Sequence, residues 1–432
     1  MKKMIFLMAA WCCLSIYAQK KWTLDECINY ALEHNIPLKM TKLQEQTANE
    51  DVKLSKAALL PTVNANTNHG VNYSPFDDTG SDKVYYNGSY GVNAQWTVWN
   101  GNQNTNTLKL SKLSVQQAEL STSESVNSIQ ERITQLYVQI LYMTEAIEVN
   151  RQSLETSKKN EERGQQMVEV GKMSKADLAQ LTAQRAASEY SVVEAETQLA
   201  KYKQQLKQEM ELTTEPDFDV AIPSTTDQQA LSDIPTMATV FEAAVAHRPE
   251  IKNAQLDIES SNLQLKIAKA GSLPTITLNG GVSTSSNTLS TLTWGRQMKE
   301  NLGLTGSVGV SIPIFDGRHT KTAINKARLS QEQAKMKFAN VEDELYTTIE
   351  SLWLDAVNNQ QKFRSASASV ISEQKSYDLL SEQFNLGLKN IVELMTGKDK
   401  LLTAQQNKLQ SKYMTILSQQ LLKFYQNGTI KI

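Results

Sequence analysis

The side chains able to do chemistry are few and scattered. The 432-residue chain has four histidines, His34, His69, His247 and His319. None belongs to a His-Glu-x-x-His pair or stands beside a Cys-x-x-Cys, so zinc-holding spacings are missing. His34 and His247 occupy equivalent places in an internal repeat, where a histidine at a helix end is ordinary structure. Gly171-Lys172-Met173 lacks the preceding glycine of a phosphate-binding loop. There is no Gly-x-Ser-x-Gly elbow for a nucleophilic serine. These residues imply no catalysis, no cofactor and no metal, so energy for the chain's task must come from a partner.

Composition narrows the class. Lys and Arg number 44 against 46 Asp and Glu, a formal net charge of -2. That balance argues against nucleic acid as a partner, which calls for a basic surface. Past the N-terminus no run of about 20 apolar residues exists, which excludes a bundle of membrane-spanning helices but not a β-barrel. With 18 glycines and 9 prolines the chain favours long uninterrupted elements. Lys2 and Lys3 followed by an apolar stretch to Tyr17 predict a signal peptide over 1–18, cut after Ala18. Cys12 and Cys13 would leave with it; Trp11 is too large for a lipoprotein cleavage site beside Cys12. Cys27 then remains alone, and no internal disulfide is possible.

The elements that must position everything else come in two copies. Leu60-Pro61 maps onto Leu273-Pro274 at an offset of 213, and Ala31-Leu32 onto Ala244-Val245 at the same offset. Further on the offset is 216: Trp99-Asn100-Gly101 maps onto Phe315-Asp316-Gly317, and Val170-Gly171 onto Leu386-Gly387. The expected domains are repeat 1 over 19–212, a linker over 213–235 and repeat 2 over 236–432. Each repeat reads as one helix (24–58, 237–271) stopped at Leu-Pro, two alternating strands, a very long helix (104–168, 318–384), a glycine turn and a returning helix. A helix of ~65 residues spans roughly 100 Å, so two shorter ones stacked end to end match it. The apolar positions Ile129, Ile133, Leu136, Tyr137, Ile140 and Leu141 have coiled-coil-like spacing.

Two strands per repeat give four per chain, and about eight is the practical minimum for closing a barrel. Three chains would give twelve strands, an even number within the range of outer-membrane barrels. The expected fold class is therefore an α+β membrane protein whose four strands close a β-barrel with other copies of the chain, three of them giving a homotrimeric 12-stranded barrel. A coiled-coil-rich structural protein of the cell envelope without a pore is the alternative reading.

In their order in both repeats, Trp22-Thr23-Leu24, the Leu-Pro stops at Pro61 and Pro274, the Asn-Gly and Asp-Gly turns and the Val-Gly and Leu-Gly tips resemble TolC-like outer membrane efflux proteins. The resemblance covers the whole mature chain. It implies a homotrimer in outer membrane lipid, its 12-stranded β-barrel continuous with a long periplasmic α-helical barrel, docked to a periplasmic adaptor protein and an inner-membrane RND, MFS or ABC pump. It implies a passive exit duct for small molecules or secreted proteins. The tips Val170, Gly171, Lys172, Met173 and Leu386, Gly387, Leu388 correspond to adaptor-contacting turns. Asp177, Phe384, Lys389, Glu393 and Thr396 correspond to the periplasmic gate. Phe384 lacks the hydroxyl that the family uses there, leaving Lys389 to meet Asp177 or Glu393. Thr396 replaces the acid of a second ring, which weakens cation binding.

The segments 70–87 and 283–302 join outward-pointing strands and should face the cell exterior. Cysteines placed at Ser81 and Ser290 are expected to react with an impermeant thiol reagent on intact cells. Labelling only after the outer membrane is broken would invert this topology.

Overall fold

The computed structural model describes residues 21–73, 75, 84–213, 218–223 and 227–430. The signal-peptide residues, Ser81 and part of the 213–235 linker lie outside them. In chain order the elements are β1 (Lys21–Trp22), α1 (Leu24–His34), α2 (Ile36–Ala57), β2 (Thr62–Tyr73), β3 (Val84–Asn100), α3 (Gln103–Glu169), α4 (Lys175–Glu209), β4 (Asp219–Val220) and α5 (Asp227–Ala230). There follow α6 (Met237–His247), α7 (Pro249–Ala270), β5 (Thr275–Asn287), α8 (Trp294–Glu300), β6 (Gly303–Ser311), α9 (His319–Asn385) and α10 (Ile391–Asn427). No helix among the described residues is long and apolar enough to cross a membrane.

Where one helix was expected before each Leu-Pro stop, the structure has two. The break falls at Asn35 and at Arg248, both in extended conformations with ψ of 124° and 133°. Proline explains it: Pro249 biases Arg248 away from helical backbone, and Pro37 supplies no N–H to the turn before it. Asn35 fills the gap, its Oδ1 accepting from the Leu38 amide at 3.0 Å and its Nδ2 donating to the Glu209 carbonyl at 3.2 Å.

The chain divides into two compact units. One holds residues up to 40, 123–248 and 342 onward. Its core is the α3 stripe, with Ile133, Leu136, Tyr137, Ile140 and Leu141 all buried against Cys27, Ala31, Leu38, Tyr413 and Phe424. The Tyr137 hydroxyl donates to the Ala221 carbonyl at 2.6 Å. That bond ties the linker inward, where β4 pairs in parallel with β1. The described part of the linker is thus packed structure, a feature its prolines concealed.

The other unit holds 41–122 and 249–341 and contains an antiparallel sheet in the order β2-β3-β5-β6. The strands reach further than their alternation indicated, through Tyr73, from Val84 and through Asn287, and α8 occupies what reads in sequence as loop. At the other end β6 stops at Ser311, because Pro313 cannot continue the ladder. The register puts Ala65, Val92, Val282 and Leu304 in one row and Asn64, Asn93, Gly281 and Thr305 in the next. One face is thus apolar and open, with Val71 72% and Val308 67% exposed, and the other is polar.

Within the first unit, each hairpin packs by setting a leucine into a glycine. A Cβ on Gly164 of α3 would lie 2.5 Å from Leu181 Cδ1 on α4, and one on Gly397 of α10 would lie 2.6 Å from Leu380 Cδ1 on α9. The repeat offset exchanges the partners, so large and small residues have swapped helices while their sum is kept. Gly397→Ala is expected to lower stability by about 1–3 kcal/mol through overpacking. The double variant Gly397→Ala/Leu380→Ala should recover part of that loss in denaturant unfolding. Additive losses would deny the pairing.

Candidate functional site

The two helical tips share one backbone solution. Gly171 and Gly387 sit at φ of +70° and +75°, the left-handed region that ends a helix. The Gly171 amide donates to the Val168 carbonyl and the Lys172 amide to Met167; the Gly387 and Leu388 amides do the same to Phe384 and Gln383. This double bond reverses the chain within a few residues. Val170, Leu386 and Leu388 are left exposed.

The next helix of each hairpin is then capped by its own side chains. Ser174 Oγ accepts from the Asp177 amide at 3.0 Å and donates to Asp177 Oδ2 at 2.8 Å. Asn390 and Glu393 form a reciprocal capping box, with bonds of 3.0 and 3.2 Å. Lys389 Nζ donates to Glu393 Oε1 at 2.5 Å. That bond, followed by the Asn390 amide, holds the Glu393 carboxyl below the usual carboxylate range. Of the two contacts open to Lys389, the single chain therefore makes the one to Glu393, while Asp177 caps α4. Thr396 turns its hydroxyl back onto the Val392 carbonyl at 2.7 Å.

Phe384 is buried. It packs with Leu181, Ile391 and Leu394, flanked by Met167, Met173, Tyr377 and Met395. The structure thus brings Phe384 and Met173 into one cluster joining both hairpins, and leaves Thr396 and the tip leucines outside it. Polar bonds reinforce that joint: Arg163 donates to Asn385 at 2.5 Å and Gln184 to Asp399 at 3.0 Å.

One buried group escaped sequence reasoning. Lys398, 4% exposed, donates to Ser157 Oγ on α3 and to Ser188 Oγ on α4, the latter at 3.0 Å. Burial pulls its ammonium down to about 8, against a smaller opposing pull from Asp399. In sequence Lys398 is one lysine among many; only its place beside Gly397 on the packed face marks it. The caps were legible, since Ser174 to Asp177 and Asn390 to Glu393 each have the spacing of a helix start. His34 Nδ1 donates to the Tyr30 carbonyl at 2.9 Å, and its ring stacks on that of Tyr30. No cluster of His, Cys, Asp or Glu suited to a metal exists among the described residues.

Paired long helices with glycine-reversed tips, and a four-stranded sheet with one apolar and one polar face, define the fold class. Residues 27–210 and 240–427 match the outer membrane efflux protein family, and the chain belongs to that family. It is 24% identical to outer membrane protein TolC of Vibrio cholerae over 97% of this chain and 94% of that one. It is 20% identical to outer membrane efflux protein BepC of Brucella suis over 92% of this chain and 83% of that one. Its fold superposes on the Campylobacter jejuni CmeC outer membrane channel with a TM-score of 0.79 at 18% identity, over 94% and 86% of the two chains. The family places the chain in the outer membrane.

The buried lysine has a measurable sign. Its charged form is disfavoured in the fold, so the penalty is full below about pH 8 and fades as pH rises toward the ordinary lysine value of 10.5. Lys398→Met is expected to unfold at higher temperature than the unaltered protein at pH 7, with the gap narrowing from pH 8 to 10. A gap independent of pH in calorimetry would show that burial does not disfavour the charged form of Lys398.

Proposed function

We propose that the chain is the exit duct of a tripartite efflux or type I secretion system, assembled as a homotrimer whose three sheets close one 12-stranded barrel. The single observation that carries this reading is the four-stranded sheet with one open apolar face, one polar face and β2 and β6 at its edges. An apolar face of that size in water is an aggregation hazard, and an open sheet edge is a template for pairing. Lipid against the face and β6 of one copy against β2 of the next remove both problems. The sheet favours this reading over a pore-less coiled-coil protein, which has no use for such a face.

The tips Val170–Met173 and Leu386–Leu388 are the adaptor-contacting surface, supported by their exposed apolar side chains on rigid glycine turns. The pump behind the adaptor is of the RND, MFS or ABC type and supplies the energy. The periplasmic gate is formed by Asp177, Lys389, Glu393 and Thr396 around the threefold axis, with Phe384 supporting them from the hairpin core. Three like carboxylates near one axis repel, and the Lys389 of each chain offsets its own Glu393. An exposed pair of this kind is screened by water and weak alone, so the closed state rests on three acting together. Residues 1–18 act as the export signal.

Two measurements test the reading. Light scattering in detergent is expected to give three times the chain mass; a stable monomer would remove the barrel. In planar bilayers Lys389→Glu should raise conductance, and Glu393→Gln should lower cation preference with the trimer intact. Unchanged conductance and selectivity in both would leave these side chains as plain helix caps.

A further inference from the structure

The polar face of the sheet has a construction of its own. Among the described residues, its four strands place only Asn, Gln, Ser, Thr, Gly and Tyr85 there, and no Asp, Glu, Lys or Arg. Glycines on this face are used for close approach. A Cβ on Gly281 would stand 2.6 Å from Asn93 Oδ1, one on Gly70 2.8 Å from Asn87 Oδ1, and one on Gly309 2.8 Å from Thr277 Oγ1. Each of those glycines is the direct cross-strand partner of the side chain that covers it. The amides therefore lie flat over the neighbouring strand instead of standing upright. They are also pinned: Asn93 Nδ2 donates to Asn66 Oδ1 and Asn72 Nδ2 to Asn87 Oδ1, both at 2.8 Å.

We propose that this face is the lining of the duct, kept low and free of charge so that the β domain admits cargo by width and not by sign. The inference rests on the channel reading above and deepens it by naming the class of cargo. Rings of charged side chains give a pore its ion preference, whereas amides and hydroxyls replace hydration for either sign. Flat amides keep the opening as wide as the backbone allows. The lining thus suits bulky, hydrated solutes rich in hydroxyl and amide groups, whether neutral, anionic or cationic. Any preference for cations belongs to the carboxylates of the helical hairpins.

The experiment uses the full chain in planar bilayers under a potassium chloride gradient, reading reversal potential and single-channel conductance. Asn93→Asp, nearly isosteric, is expected to shift the potassium-to-chloride permeability ratio toward potassium by about threefold or more at low salt. Gly281→Leu, which forces Asn93 upright, is expected to lower conductance by about a third or more with the ratio unchanged. Val92→Thr, on the opposite face, should change neither. An Asn93→Asp channel with the unaltered ratio would overturn the proposal, as would a Gly281→Leu trimer conducting like the parent. Absence of conductance steps from the unaltered protein would instead overturn the duct reading, and this lining with it.

Discussion

The structure depends on one constraint: a four-stranded sheet with an oily face and two edges cannot be satisfied by its own chain. Backbone N–H and C=O groups on β2 and β6 need partners, and in hydrocarbon nothing but another strand supplies them. The alternation that creates the face also dictates what the far side can be. Because side chains repeat every two residues, each valine of the apolar face fixes a neighbour facing the opposite way. Val92 is followed by Asn93 and Val282 preceded by Gly281, so the pattern that builds the apolar face composes the polar face at the same time. A slip of one residue would exchange the two, and Ala94, Trp96 and Leu278 specify the register against it.

The hairpins solve a different problem, which is to hold long helices together with little apolar surface. The stripes on α4 and α10 are interrupted by serine, glutamine and lysine, so each close contact matters. Leucine-into-glycine packing lets helix backbones approach where side chains are small. Lys398 works against this economy: an ammonium with two serine hydroxyls as its described hydrogen-bond partners is a weak stabiliser compared with a methionine of the same volume. Such a group adds directionality to the joint between α10 and the α3/α4 pair, at some expense in stability. The same trade is visible in Asn150, which is buried and accepts from Gln406 of α10 at 3.1 Å.

Much of this was legible in the residues. The long helices follow from periodicity and from the scarcity of glycine and proline. The hairpin tips follow from Gly171 and Gly387, because only the left-handed region turns a helix so sharply. The α1–α2 and α6–α7 breaks were written in Pro37 and Pro249, but one apolar period continues across them and hides the stop. The packing of the linker was not legible: β1 and β4 are two residues each, too short for alternation to register, and Tyr137 holds them through the Trp22 carbonyl of β1 and the Ala221 carbonyl just past β4. Among the candidate site residues, the glycines and exposed tip leucines are where spacing puts them. Phe384 lies in the hairpin core because Leu181 and Leu394 enclose it, which no local pattern announces.

The two repeats are equal in outline and unequal in packing. The stripe Ile133, Leu136, Ile140 and Leu141 is wholly buried in its own chain. At the matching positions of α9, Ile349 is buried while Val357 is 37% exposed and Leu352 and Trp353 are half-buried. The difference has a cause in the fold: β1, β4 and the last turns of α10 join the cluster that covers α3, whereas the same stretch of α9 is met by α6 through the Phe241–Tyr346 ring contact and by the short α5 segment, where Gln360 donates to the Ala230 and Ser232 carbonyls. A tandem duplication in one chain has one N-terminus and one C-terminus to serve as cover, so the two copies cannot be finished alike. The second copy keeps its apolar positions with less of each covered by its own chain.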